Sequence, residues 1–192
     1  MKKGTIIGLI VLAVIILILV ISVSWFVSTR NSLVRMEQEI EGQWAQVENQ
    51  LQRRYDLIPN LVNTVKGYAS HEEEVFTAIA DARSKLGGSN SVSETAAASS
   101  ELDSALSRLL VVVEAYPDLK ADTGFLNLQD ELAGTENRLA VARKNYNDSV
   151  KIFNTEIRMF PANIVAGTLG LEKQDYFEIA DEVRDAPVVN FE

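Results

Sequence analysis

An apolar run near the start of the chain constrains the fold more than any other feature. Residues 6–27 carry no charged side chain, and only Gly8, Ser22 and Ser24 interrupt the large or aliphatic side chains. At about 1.5 Å per residue, a helix over this run reaches roughly 33 Å, enough for a hydrocarbon core of about 30 Å. The run therefore predicts a helix that spans a lipid bilayer, followed by one domain of about 160 residues.

A cleaved signal peptide is the alternative to a permanent span. Lys2 and Lys3 give a basic start, and the small residues Ser22 and Ser24 have cleavage-like spacing. The run is longer than the usual signal core of about 7 to 15 residues, and Trp25 suits the membrane interface better than a cleavage site. The length and the aromatic residue favour an uncleaved, single-pass span.

The basic residues beside the run bear on its orientation. Lys2 and Lys3 precede it, whereas Arg30 and Arg35 follow it closely. Because the cytoplasmic side of a span carries the excess of positive charge, the balance leans only slightly towards an N-terminus inside and a domain outside.

Composition excludes several classes of protein. The chain has 18 basic and 27 acidic residues, a formal net charge of −9 at pH 7, and both Lys2 and Lys3 lie before the span. The domain is therefore acidic and repels the phosphates of nucleic acid and anionic lipid headgroups, so we expect no nucleic-acid partner. The chain has no cysteine, which excludes disulfides, thiolate metal sites and cysteine nucleophiles.

After the span, apolar residues recur at steps of three and four, close to the seam of a coiled coil. This pattern predicts a helix over residues 33–66 that follows the span with little or no linker. We expect a left-handed Gly67 to end it and a capping box of Ser70 and Glu73 to begin the next helix. One unbroken helix to Leu86 is the alternative. The apolar positions are Leu33, Met36, Ile40, Trp44, Val47, Leu51, Tyr55, Ile58, Val62 and Val65.

Two shorter helices are predicted next. The second covers residues 71–86, and the glycine-rich stretch 87–90 forms a loop. Ser91 and Glu94 form a capping box that begins the third helix, which Pro117 ends.

The fourth helix is predicted from near Thr123 to Phe160, where Pro161 stops it. Its length matches that of the first helix, which predicts an all-α fold: an N-terminal transmembrane helix followed by an antiparallel up-and-down four-helix bundle. In that fold Phe160 and the residues after it lie near the bilayer. The expected buried stripe is Phe125, Leu128, Leu132, Thr135, Leu139, Ala142, Tyr146, Val150, Phe153, Ile157 and Phe160.

The chain thus divides into three predicted parts. Residues 1–29 form the membrane anchor, residues 30–170 the helical bundle and residues 171–192 an acidic tail. The tail either packs along the bundle or stays unstructured until a partner binds, and the sequence does not decide between the two.

Motifs for catalysis are missing from the sequence. It has no nucleophile elbow, no phosphate-binding glycine loop and no dinucleotide fingerprint. The single histidine, His71, excludes a site with two histidines, and we interpret the nearby Glu74 as part of a solvated first helical turn. We expect no enzymatic activity, no catalytic residue, no cofactor and no metal.

A polar cluster beside a proline is the most distinctive local feature. Pro59 lacks a backbone N–H and crowds the carbonyl of Tyr55, which predicts a kink and leaves that carbonyl in need of another partner. Asn60, Arg53 or Arg54 is expected to supply it. Arg53 and Arg54 pair either with Asp56 or with acidic residues of the fourth helix. The cluster is either a kinked helix held by ion pairs or a recognition notch for a partner or ligand, formed by Arg53, Arg54, Asp56 and Asn60.

Motifs over nearly the whole domain resemble the bacterial LemA family. The resemblance implies a membrane-anchored, all-helical protein of a bacterial cell membrane. It implies no activity, since the family has no catalytic residues to carry over. The matching segments are Trp44, residues 51–62, 64–72, 116–121 and 136–143, Tyr146-Asn147, Phe153-Asn154 and Phe160-Pro161.

Polar and aromatic residues of the fourth helix leave a choice. The aromatic residues at helical spacing, such as Trp44 and Tyr146, are expected in the core. Asn145, Asn147 and Asn154 are weak helix formers. They either bind across to Arg53, Arg54 or Asn60, or face outward as a surface for a partner.

Two functions follow from these features. The first is a membrane-anchored interaction or scaffold protein, which contacts the lipid bilayer through residues 6–27 and binds an unidentified protein or a second copy of itself. The alternative is a ligand-responsive sensor or regulator that uses the notch near Arg53, Arg54 and Asn60.

Overall fold

The structure, a computed structural model, describes residues 3–178. The prediction of an all-helical protein is confirmed, since no strand occurs within these residues. The elements are α1 (Lys3–Lys66), α2 (Glu73–Gly88), α3 (Val92–Val113), α4 (Pro117–Lys120), α5 (Thr123–Glu156) and α6 (Ala162–Leu169).

Helix α1 is continuous over 64 residues, which confirms that the apolar run passes into the domain without a linker. In the described part of the chain, α1 is the one helix long and apolar enough to cross a membrane. Its large apolar side chains between Ile6 and Val27 are exposed. This exposure suits a lipid environment, because such a run in water leaves a large apolar surface uncovered.

The turn after α1 is confirmed, and the unbroken helix to Leu86 is therefore wrong. Its geometry differs from expectation. Within residues 3–178 the only glycine with a positive φ is Gly170, at 66°, so Gly67 is not left-handed. The predicted capping box of Ser70 and Glu73 is also wrong, because Glu72 is the N-cap of α2 and its side chain makes no cap bond.

The predicted N-cap of α3 by Ser91 is confirmed, but the Glu94 carboxylate binds the N–H of Asn90 and not that of Ser91, as a capping box would. The Glu94 backbone N–H donates to Ser91 Oγ at 3.2 Å, and the Glu94 carboxylate accepts from the Asn90 N–H at 2.9 Å. The loop before it is shorter than predicted, since α2 continues through Gly88.

The sequence pattern does not predict two short helices, α4 and α6, because each begins with or directly after a proline that also suits the end of the previous helix. Pro117 is the first residue of α4 and Pro161 is the N-cap of α6. A proline at a helix start costs little, since the first N–H groups of a helix have no intrahelical acceptor. Helix α5 ends at Glu156, so the prediction that Phe160 continues its buried stripe is wrong, and Phe160 is 79% exposed.

The chain forms two compact units, and the first joins residues up to Glu41 with Ser149–Gln174. Its apolar cluster is centred on Leu33, Val165 and Ala166. Partly buried apolar side chains pack around these three residues: Met36, Ile157, Leu169 and Leu171.

The second unit joins Gly42–Asp148 with the tail from Asp175. Here α5 is antiparallel to α1, since Tyr146 packs against Trp44 at a tilted angle while Glu136 pairs with Arg54. Leu61, rather than the predicted Val62, is buried near the end of α1. The four-helix bundle arrangement and the three-part domain division stay predictions. Buried apolar residues of this unit include Ile58, Leu61, Val65, Phe76, Ile79, Leu102, Leu106, Leu109, Phe125, Leu139 and Tyr146.

Candidate functional site

The carbonyl that Pro59 leaves free on α1 is bound by an arginine of α2. Arg83 Nε donates to the Tyr55 carbonyl oxygen at 3.1 Å, and the Arg83 guanidinium lies 3.6 Å from the centre of the Tyr55 ring. The expected partners, Asn60, Arg53 and Arg54, do not supply this bond. The carbonyl that Pro59 leaves without an intrahelical donor therefore ties α1 to α2.

Arg54 is the buried member of the predicted notch. It is 4% exposed and pairs with Asp103 of α3, while its Nη1 lies 2.9 Å from Glu136 Oε2 of α5. The other oxygen of Glu136 accepts from Arg143 Nη2 at 2.6 Å. Two arginines and two carboxylates thus form one connected network. The side chains of Asp103 and Glu136 are 38% and 41% exposed, so water screens these pairs in part, and Arg54 keeps one partner when the other is removed.

A cavity of about 370 Å³ lies beside this network, and Arg54, Asp103 and Glu136 form its polar wall. Leu61 and Leu106 are among its apolar walls. Arg54 Nε is buried without a hydrogen-bond partner. The cavity therefore combines apolar residues with charged groups of the network, a combination suited to a small polar molecule.

The other predicted notch residues lie elsewhere. Arg53 pairs with Glu131 on the surface of α5, and Asp56 accepts a bond from Gln52 at 2.9 Å. Asn60 is exposed. Arg53 and Arg54 thus pair with acidic residues of α5 and not with Asp56. The four residues of the predicted notch do not line one cavity, since only Arg54 lies beside the one described above.

The asparagines of α5 form a site that the sequence did not locate. Asn147 Nδ2 donates to the Phe177 carbonyl at 3.0 Å, and the Phe177 N–H donates to Asn147 Oδ1 at 2.9 Å. One side-chain amide thus pairs with both backbone groups of one tail residue. An extended strand offers the same pair of groups to its neighbour in a sheet. Asn147 therefore binds two backbone groups of the tail, and the side chain of the bound residue takes no part in these two bonds.

Asn154 repeats the arrangement within the first unit. Its Nδ2 donates to the Gln174 carbonyl at 2.9 Å, and the Gln174 N–H donates to its Oδ1 at 2.9 Å. The expectation that the asparagines bind Arg53, Arg54 or Asn60 is wrong for Asn147 and Asn154. Their helical spacing and weak propensity were visible in the sequence, but their partners lie 20 and 30 residues away.

In the second unit the tail is also held through a tyrosine and an aromatic anchor. The Tyr146 hydroxyl donates to the Asp175 carbonyl at 2.9 Å. Burial, followed by the charge of Asp175, raises the pKa of Tyr146 to about 12. Phe177 is 3% exposed, and its ring centre lies 6.2 Å from that of Trp44.

Arg143 completes the contacts around Phe177. Its guanidinium carbon lies 5.4 Å from the centre of the Phe177 ring, within the range of a cation–π interaction. We call Trp44, Arg143, Tyr146 and Asn147, which surround residues 175–177, the tail clasp. Part of the tail therefore packs on the helices, and residues 179–192 lie outside the described part of the chain.

Trp44 also lines a groove of about 500 Å³ on the second unit. Tyr55, Glu48 and Gln52 lie along it, and Gly87 leaves room for the Tyr55 ring, which a Cβ at that position would meet at 3.3 Å. One tryptophan thus contacts both the groove and the bound tail.

Within residues 3–178 no candidate metal site is found, because no three His, Cys, Asp or Glu side chains lie close enough together to bind an ion. His71 and Glu74 are both exposed.

Comparison with known proteins supplies the family. A sequence model of a protein family, described as "LemA family", matches residues 43–191, which include every member of the tail clasp. The chain belongs to the LemA family. The match begins after the apolar run, so it describes the helical domain and the tail.

Named relatives of this LemA family protein fall into two groups. It is similar to "Protein LemA" of Metamycoplasma hominis, with 29% identity over 172 residues that cover 88% of this chain and 78% of the relative. It is also similar to "Magnetosome protein MamQ" of Magnetospirillum gryphiswaldense, with 24% identity over 93% of this chain and 75% of the relative. "Magnetosome protein MamQ 1" of Paramagnetospirillum magneticum is 25% identical over 91% of this chain and 75% of its own length.

Proposed function

We propose that this LemA family protein is a non-enzymatic interaction module that residues 6–27 anchor in a bacterial cell membrane. The length of α1 and the exposure of its apolar run support the anchor. The domain is the part that meets partners, either another protein or a second copy of the chain. A nucleic-acid partner is disfavoured by the net charge of −9.

The observation that carries this proposal is the pair of bonds between Asn147 and the Phe177 backbone. They fit any extended residue, because every residue except proline has the same N–H and C=O groups. The clasp adds specificity through Phe177, which packs against Trp44 and Arg143. The preferred partner is therefore an extended segment with an aromatic residue, and the protein's own tail is its internal competitor.

The chemistry of the paired groups supports the absence of catalysis. Glu136 bridges two arginines, and the Tyr146 hydroxyl donates to a backbone carbonyl. A general acid or base needs a titratable group placed beside a substrate site, with a pKa near the working pH. These groups instead hold one another and the tail. The relatives' names likewise give a cell structure or a family and no reaction.

Photo-crosslinking in native membranes tests this proposal. A photoreactive amino acid at exposed Ala140, seven residues before Asn147 and hence on the same helix face, should form an adduct with an extended segment containing an aromatic residue. The matched control is exposed Ala97 on α3. Mixing isotope-labelled and unlabelled chains separates a second copy from another protein. An equal yield of adducts at Ala140 and Ala97, or the absence of any intermolecular adduct, would contradict the proposal.

Orientation is part of the proposal, with the N-terminus inside and the domain outside. Because the chain has no native cysteine, Ser104→Cys on the exposed side of α3 gives a single label site. An impermeant thiol reagent should label it in intact cells. Labelling that requires permeabilised cells would place the domain inside instead.

A ligand-responsive sensor is the second candidate function, and the cavity beside Arg54 supports it. Arg54 lines this cavity and belongs to a network that runs through Glu136 and Arg143 to the Phe177 ring. A ligand at Arg54 would therefore compete for Glu136 and change the support of the tail. Thermal unfolding and hydrogen exchange with phosphate, amino acids and cell-wall fragments test this candidate. The absence of any stabilising compound would leave the network structural.

A further inference from the structure

The turn between α5 and α6 carries an apolar surface that no contact in its unit covers. Met159 is 54% exposed, Phe160 79% and Ile164 56%. Single exposed apolar residues are common on soluble proteins, but three large ones within six residues form a patch. We define the tip as Met159, Phe160 and Ile164.

The tip lies in the same compact unit as the apolar run of α1. Within this unit α6 packs on α1, since Val165 and Ala166 are in one buried cluster with Leu33. Leu33 is six residues after Val27, the end of the run, and six residues of helix rise about 9 Å. The headgroup layers add roughly 5 to 7 Å on each side of the hydrocarbon core. With residues 6–27 in the bilayer, α6 would therefore lie at the height of the membrane surface.

The residue that follows α5 is also placed against α1. Ile157 packs on the cluster of Leu33, Val165 and Ala166, all within the first unit. The tip, Met159 to Ile164, is thus flanked on both sides by residues held beside the part of α1 that follows the apolar run.

The charge of this segment also suits a lipid surface. Residues 157–171 contain one charged residue, Arg158, and no acidic residue, although the whole chain has a net charge of −9. An exposed arginine beside apolar side chains favours anionic headgroups, and acidic residues would be repelled by them. The acids of the tail begin only at Glu172.

We propose that the tip inserts into the interfacial layer of the bilayer that residues 6–27 span. The protein then contacts the membrane at two places, the span and the tip. This inference rests on the proposed anchor. Phe160, Met159 and Ile164 contact the upper acyl chains, and Arg158 contacts headgroup phosphate. A second contact fixes the rotation of α1 about the membrane normal, which one span alone leaves free.

Spin labels on the full chain in nanodiscs of phosphatidylcholine and phosphatidylglycerol test the inference. Asn163→Cys is exposed in the tip and leaves its three apolar side chains intact. Ser24→Cys reports the span, and Ser104→Cys reports the solvent. The Asn163 label should resemble the Ser24 label, with greater access to oxygen than to a water-soluble nickel complex. The Ser104 label should show the reverse.

Three results would overturn the inference, and they are distinguishable. A lipid-exposed Ser24 label with a water-exposed Asn163 label refutes the tip and leaves the anchor intact. Water access at both positions refutes the anchor as well. Low access to both reagents at Asn163 means that a protein surface, such as a second copy, covers the tip.

A variant separates the tip from general packing. Phe160→Ser should move the Asn163 label towards water without lowering the melting temperature, because Phe160 is outside the core. Val111→Ser, at an apolar residue that is 74% exposed on α3, is the matched control and should leave the label unchanged. Equal effects of the two variants would refute insertion by Phe160.

Discussion

Asn147 pairs with both backbone groups of Phe177, at 3.0 and 2.9 Å, so a side chain in the middle of a long helix takes the place of a neighbouring strand. The arrangement needs a carboxamide, because only that group offers a donor and an acceptor side by side. The tail is thereby held through its backbone first, and the Phe177 ring adds specificity.

Asn147→Asp should release the tail while the helices stay folded. The carboxylate still accepts from the Phe177 N–H, but it cannot donate to the Phe177 carbonyl, and a buried unsatisfied carbonyl costs about 1 to 3 kcal/mol. Hydrogen exchange in residues 174–178 should rise at least fivefold, while exchange in α3 stays unchanged.

The matched control is Asn145→Asp, the same charge change at an exposed position of α5. If both variants speed exchange of the tail equally, repulsion between acidic residues and not the lost bond explains the effect.

Pro59 and Arg83 should be energetically coupled. Arg83→Met leaves the Tyr55 carbonyl without its partner and should cost about 1 to 3 kcal/mol of the free energy of unfolding. Pro59→Ala restores an N–H that bonds the same carbonyl within α1. Arg83→Met should therefore cost less in the Pro59→Ala background, by at least about 0.5 kcal/mol. Denaturant unfolding of the four variants measures this difference.

Lys85→Met tests whether the coupling is specific, since Lys85 lies on the same helix and pairs with Glu101 on the surface. Its cost should be the same with and without Pro59. Identical costs of Arg83→Met in both backgrounds would mean that the Tyr55 carbonyl does not depend on Arg83.

Alkaline pH should weaken tail docking through Tyr146. The pKa of this tyrosine is raised to about 12 in the folded protein, against about 10 in an unfolded chain, so folding favours the neutral hydroxyl. Its contribution to stability is full below pH 10 and is lost as the pH rises from about 10 to 12. Tyr146→Phe should flatten this decline but also remove the bond to Asp175.

The measurement is the free energy of unfolding between pH 9 and 12 for the wild type, Tyr146→Phe and Tyr68→Phe. Tyr68 is an exposed residue whose pKa is raised mainly by its hydrogen bond to Asp122, and it serves as a control away from the clasp. A slope in Tyr146→Phe as steep as that of the wild type would contradict the role of Tyr146.

Local signals in the sequence predicted much of the helical order. Ser91 and Glu94 mark the start of α3 because both partners of the cap lie within four residues. Proline was ambiguous, since the same residue ends one helix and begins another, and α4 and α6 were missed for this reason. Phe160 continues the spacing of apolar residues along α5, but this spacing does not reveal that the helix ends at Glu156.

The site was harder to predict than the helices. The partners of Asn147 and Arg83 lie 30 and 28 residues away in the chain, and no local pattern links them. Residues that are uncommon inside a helix, such as Asn147 and Asn154, did indicate positions that make specific contacts. Which group each one binds depends on packing between distant segments.

Binding of an added tail peptide tests the central claim, that the clasp recognises an extended segment by its backbone. Phe177→Ala in the full chain should weaken the hold of the clasp on its own tail, since loss of a buried aromatic side chain costs about 3 to 5 kcal/mol. A fluorescent peptide of residues 171–178 should then bind saturably, and adding Asn147→Asp should weaken its affinity by about tenfold, or 1.4 kcal/mol. Equal affinity with and without Asn147→Asp, or no saturable binding, would contradict the claim.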